Sequence, residues 1–316
     1  MTIHQKYRAV VASDKIDLHG DIITKGALQQ MVDFINNPDR SIRMGVDHRR
    51  DFPPTGKLEN GELLEKDGNY YVLADFRPYE KSEVVQWDST LLIQYFETPF
   101  QFVEVDNDEN MENYISIDRQ NFKSAEEIES FTKNLKSEQD INLQVDFFAR
   151  KAHIPDPEVI FKLAILYRLL KPTITKIGDK IGDEISEKTV DESKKVLKLI
   201  GKALKEVFFR LIPKSRPVTI IFDLPGKPHI ELIARTRNED LVLKSLNKNK
   251  LSQVRTEIEK LSQNVKISKV QFLLSAKGTW KFNYLLTDSG QTIGKKAVFN
   301  KRDKRIEMIT KKKNGR

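Results

Sequence analysis

Residues 14–76 hold the one stretch of this chain in which side chains able to move protons crowd together. Asp17-Leu18-His19-Gly20-Asp21 opens it, and Asp47-His48-Arg49-Arg50-Asp51-Phe52-Pro53-Pro54-Thr55-Gly56-Lys57 closes it. An imidazole beside acids can serve as a general base with its ring held in one orientation, and an acidic loop containing glycine carries groups that bond backbone donors. Local elements must position them. Residues 7–13 alternate small and apolar side chains as a strand does, and residues 22–35 have the spacing of an amphipathic helix. Residues 43–46 form a short strand candidate that delivers His48 at its carboxyl end, and Pro53, Pro54 and Gly56 force a turn before Lys57.

This block resembles the phage prohead serine proteases, whose fold is shared with the herpesvirus assemblins. In that family a strand is followed by an Asp-x-x-Gly-Asp loop, a helix, a catalytic His in a turn with Pro and x-Gly, and a strand ending in Phe. The matching residues are Asp17, Gly20, Asp21, His48, Pro54, Gly56 and the strand Tyr70-Tyr71-Val72-Leu73-Ala74-Asp75-Phe76, over roughly the first third to half of the chain. The resemblance implies a downstream Ser nucleophile, with the His as general base and a third polar group holding the ring. Its match is Ser116, in Tyr114-Ile115-Ser116-Ile117-Asp118. The alternative equivalent strand, residues 100–105, carries no Ser, and on that alignment the site has no nucleophile. Assemblin-like enzymes use a second His as the third member, which implies His153; Asp17, Asp21 and Asp118 stay open beside it.

Length and composition bound the rest. A chain of 316 residues fits two domains, and 39% apolar with 32% charged residues describes a hydrophilic globular protein. Cysteine is absent, which removes disulfides, thiolate nucleophiles and zinc-thiolate sites and fits a reducing compartment. Residues 1–6 lead into a strand pattern without the apolar core of a signal peptide, and the apolar run 159–170 is interrupted by Lys162 and Arg168 and is too short to span a bilayer. A cytoplasmic location is the expectation, and the residues call for no cofactor and no metal.

Residues 124–135 open as a helix, with Ser124 at the N-cap and Glu127 at the capping-box position, and 141–148 alternate as a strand. The prolines of His153-Ile154-Pro155-Asp156-Pro157 suit a domain boundary near residue 155. Beyond it, residues 174–185 and 196–211 carry apolar side chains at three- and four-residue steps, as one face of a helix pair does, and Gly178 and Gly182 allow close helix approach. Residues 218–223 and 230–234 read as a hairpin across Pro225-Gly226-Lys227-Pro228. Residues 239–261 read as one helix capped by Asn238, and 269–274, 280–286 and 291–298 as three strands. His229, between Pro228 and Ile230, reads as structural.

The expected class is therefore α+β. An N-terminal mixed, β-barrel-like protease domain with flanking helices spans 1–155, and a helical hairpin leads into a small α+β domain over 156–316 that serves recognition or assembly. The function implied by the resemblance is a serine endopeptidase, with His48, Ser116 and His153 as catalytic residues and a protein as substrate. The alternative is an inactive adaptor on the same scaffold, recruiting a partner protein in a multi-component system such as phage defence. The net charge of +8 and the tail Lys311-Lys312-Lys313-Asn314-Gly315-Arg316 favour anionic surfaces, yet the tail reads as solvated and no nucleic-acid motif accompanies it. Nucleic acid is thus the minority partner, no membrane span is expected, and an oligomer is compatible with the sequence.

Overall fold

The computed structural model describes residues 6–16, 22–38, 41–46, 49–102, 113–136, 143–148, 156–163, 166–167, 170 and 187–314. The chain divides into two compact units, one made of residues 1–105, 266–268 and 283–316, the other of 106–265 and 269–282. The described residues form six helices and fourteen strands, a mixed α+β class.

In the first unit, β1 (Tyr7–Ser13), β2 (Ile42–Met44), β3 (Gly56–Lys66) and β4 (Asn69–Pro78) make an antiparallel sheet ordered β1-β4-β3-β2. Helix α1 (Lys25–Ile35) starts where Thr24 Oγ1 accepts the Ala27 N–H at 3.2 Å. Its Leu28, Val32 and Ile35 share one face, and they pack on Val72 and Ala74, which alternate onto one face of β4. The helix end is tied to β3 by a reciprocal pair: Asn36 Nδ2 donates to the Gly61 carbonyl at 2.8 Å, and the Gly61 N–H donates to Asn36 Oδ1 at 2.7 Å. The bond falls where the β3–β4 register shifts between Glu59 and Glu62. The same unit carries a second ladder, β5 (Lys81–Val84), β6 (Leu91–Tyr95), β14 (Thr292–Lys295) and residues 283–287 of β13 (Trp280–Thr287), followed by helix α6 (Lys296–Asn314). Tyr79, Phe96, Phe100, Phe102, Tyr284 and Leu286 form its aromatic core.

The second unit orders its strands β12-β11-β10-β9-β7-β8, where β7 is Asn113–Asp118, β8 Leu143–Phe148, β9 Glu158–Lys162, β10 Val218–Leu224, β11 His229–Thr236 and β12 Ile267–Leu274. Three of its pairs are parallel, β7 with β8, β9 with β10, and β11 with β12. A parallel pair needs a crossover, and helices supply it: α2 (Ala125–Lys136), α3 (Glu187–Arg210), and α4 (Glu239–Ser245) with α5 (Lys248–Ser262). Ile200, Leu204 and Val207 line one stripe of α3 and are fully buried, and Phe161 stacks on Phe222 with ring centroids 5.4 Å apart. No helix among the described residues is long and apolar enough to cross a membrane.

Four expectations change in detail. Residues 100–102 are not a strand: Phe102 makes an isolated bridge with Ser41, and its ring and that of Phe100 are drawn into the aromatic core, 4.8 Å apart. Residues 239–261 break into α4 and α5, because Asn247 Oδ1 accepts the Lys250 N–H at 2.9 Å and restarts the helix with a new cap. The strand expected over 291–298 stops at Lys295, and the basic tail through Asn314 is helical because Phe299 and Arg302, three residues apart, are both buried. The box at Ser124 forms as expected toward Glu127, whose N–H donates to Ser124 Oγ at 3.4 Å, but its carboxylate accepts the N–H of Lys123 instead of the cap residue. The helix expected at 174–185 lies outside the described residues.

At Gly56 a Cβ would fall on the Arg77 carbonyl and stand 2.7 Å from Pro78 Cα, at a φ of +156°. Gly56→Ala should therefore destabilise the first unit by about 2 kcal/mol or more, read as a lowered urea midpoint, whereas Gly68→Ala, with open space beside it, should cost about 1 kcal/mol for its positive φ alone.

Candidate functional site

Two places bear on function. The first is the turn that follows His48. His48 itself, like His153, Asp17 and Asp21, lies outside the described residues, but the turn from Arg49 to Gly56 is held on several sides within the first unit. The Thr55 N–H donates to the Met44 carbonyl at 2.9 Å, and the Tyr79 N–H donates to the Thr55 carbonyl at 3.0 Å. Two residues from the far end of the chain complete the hold. Asn283 Nδ2 donates to the Asp51 carbonyl at 2.9 Å, and Arg302 Nη1 donates to the Pro54 carbonyl at 2.7 Å. Arg302 is 2% exposed; burial lowers its pKa, and Asp303, accepting from its Nε at 2.8 Å, works against that shift. Beside it the Tyr79 hydroxyl is pushed up by burial, while its 2.5 Å contact with Thr292 Oγ1 opposes the change. Neither Asn283 nor Arg302 carries a sequence motif, and only their burial and long-range bonds mark them.

The second place is one face of the second unit's sheet. Register puts Tyr114, Lys162, Asp223, Glu231 and Gln271 in a single row across β7, β9, β10, β11 and β12. The groups satisfy one another. Asp223 pairs with His229 Nε2 and lies 3.8 Å from Lys162 Nζ; Glu231 accepts from Lys269 Nζ at 3.0 Å and from Gln271 Nε2. Lys162 also sits over the Tyr114 ring, 4.8 Å from its centroid. Burial works to raise the Asp223 carboxyl, but the His229 hydrogen bond and the His229, Lys269 and Lys162 charges override it and hold the group well below the ordinary carboxylate range. His229, which its place between Pro228 and Ile230 marks as structural, has its partner six residues back, across the hairpin.

Ser116 occupies the neighbouring row, with Ile160, Ile221, Ile233 and Leu273. It is 7% exposed, in mid-strand, with the fully buried Ile115 and Ile117 on either side. Strand spacing and rise put its Cα about 12 Å from that of Asp223 and about 20 Å from that of His229, beyond hydrogen-bonding reach. Asp118, the alternative third member, caps a 3₁₀ turn, its Oδ1 accepting the Gln120 N–H at 3.0 Å. Comparison with protein-family models, with curated proteins and with solved structures gives no match.

The Asp223 carboxyl is more acidic in the folded than in the unfolded chain, so it stabilises the fold above the ordinary Asp pKa of about 3.9 and that contribution is lost as pH falls below it. Urea midpoints of the second unit should fall below about pH 4. Asp223→Asn should flatten that dependence and cost about 3 kcal/mol at neutral pH, because it leaves the buried His229 and the half-buried Lys162 against a neutral partner.

Proposed function

We propose that this chain is a binding protein, a partner-recruiting adaptor whose N-terminal block resembles the prohead proteases, and not a hydrolase acting through Ser116. The observation that carries the proposal is the placement of Ser116. A nucleophilic Ser needs a base within hydrogen-bonding reach and open space about 3 Å away where a scissile carbonyl can lie. Ser116 instead stands in mid-strand in register with a row of isoleucines, and the described imidazole of His229 is engaged by Asp223. The charged row is likewise self-satisfied, as a structural polar layer is.

The endopeptidase reading makes the opposite demand, with His48 taking the Ser116 proton and His153 holding the ring. A fluorophosphonate probe separates the two. Purified protein read by intact mass should stay unlabelled, in step with Ser116→Ala and His48→Ala. Labelling of the wild type that vanishes in both variants would overturn the adaptor reading and establish an activated Ser116.

A further inference from the structure

Helix α6 concentrates the charge of the chain. Its eight Lys and Arg against two acids give a net +6, out of +8 for all 316 residues. The helix is amphipathic in a specific way. Phe299 and Arg302 face inward and are buried, while Lys301, Lys304, Arg305, Met308 and Lys311 recur at three- and four-residue steps on the other side. Of these Met308 is 56% exposed. With Arg49 and Phe52, the residues Lys301, Lys304, Arg305 and Met308 line a cleft of about 500 Å³ within the first unit. Arg49 is already paired with Asp51 and lies over the Phe52 ring, 4.2 Å from its centroid, which fixes that wall. Among the described residues neither Lys301 nor Lys304 forms an ion pair, and Asp303, the acid between them, bonds to the inward-facing Arg302.

We infer that this cleft binds the phosphodiester backbone of a nucleic acid strand. From Lys301 to Lys311 the basic row runs about 15 Å along the helix axis, enough to meet about three successive phosphates of one strand, which its six intervening bonds hold about 6 Å apart. A row this long, predominantly positive although the exposed Glu307 lies one turn from Lys304 and from Lys311, matches a linear polyanion better than a single small anion. An anionic membrane would call for a broad apolar stripe, and Met308 is the one apolar member of this row. The turn after His48, held by Asn283 and Arg302, sets one wall of the cleft, so the segment that resembles a protease site becomes part of a binding surface.

The proposal names a partner class for the adaptor reading and rests on it. The test is fluorescence anisotropy of a labelled 20-nucleotide single-stranded DNA, and of the RNA of the same sequence, with the full chain between 50 and 200 mM salt. Wild type should bind, with log K falling against log salt at a slope of about −2, as about three phosphate contacts require. The double variant Lys301→Ala/Lys304→Ala should weaken binding at least tenfold and make the slope shallower by about 1.4, with an unchanged melting curve. Lys195→Ala/Lys198→Ala, an equal loss of charge on α3, should leave affinity unchanged. No wild-type binding at 50 mM salt, an equal loss in the α3 control, or displacement of the oligonucleotide by polyglutamate or phosphatidylserine vesicles at matched charge would overturn the proposal. Absent binding together with an unlabelled Ser116 removes the nucleic-acid partner and leaves the adaptor reading intact; probe labelling of Ser116 removes the adaptor reading whatever the anisotropy gives.

Discussion

A formal charge taken out of water must find a partner, because the desolvation cost of an isolated buried ion is several kcal/mol. That constraint shapes both units. In the second, Asp223 and Glu231 face each other in register on neighbouring strands, an arrangement that would be repulsive without the cations around it. Lys162 and His229 answer the first, and Lys269 with Gln271 answers the second. In the first unit the same rule acts on Arg302. Its guanidinium is buried only because the Pro54 carbonyl and Asp303 receive its donors.

The consequence for chemistry is that most buried charge among the described residues is paired with opposite charge. Asp223 engages His229 through Nε2, the nitrogen that a catalytic imidazole turns to its nucleophile, and Ser116 stands one row and two strands from Asp223 among isoleucines. What faces outward differs in kind. The outer side of α6 presents Lys301, Lys304 and Lys311 to solvent, with Glu307 between the last two as the exposed acid.

Much of the local structure was legible. Alternation marked β1, β4, β7, β10 and β11 to within a residue or two, and the caps at Ser124 and Asn238 act where the sequence places them, Asn238 Oδ1 accepting the Leu241 N–H at 2.9 Å. The misread elements share one cause. Residues 100–102 have a strand's composition, yet Phe100 and Phe102 gain more by joining Tyr79, Phe96 and Tyr284 than by pairing along an edge. Residues 296–298 read as a strand end and 311–314 as solvated tail; both belong to one helix because Phe299 and Arg302 between them are buried. The break at Leu246-Asn247 hid in a continuous helical pattern, as an Asn in mid-pattern is as readily a cap as a surface residue.

The sequence by itself determined the class of the strands and helices with clear alternation or caps, the hairpin across Pro225-Gly226-Lys227-Pro228, the excess of positive charge and the absence of thiol chemistry. These are properties of neighbours, set by alternation, capping and composition within a few residues. Only the tertiary structure decided which charges meet. Glu231 and Lys269 are separated by 38 positions, Asp51 and Asn283 by 232, Pro54 and Arg302 by 248. No local pattern encodes such pairs, because they follow from which strands lie side by side and which faces close over one another, and it is these pairings that separate a buried, satisfied charge from one left to bind something else.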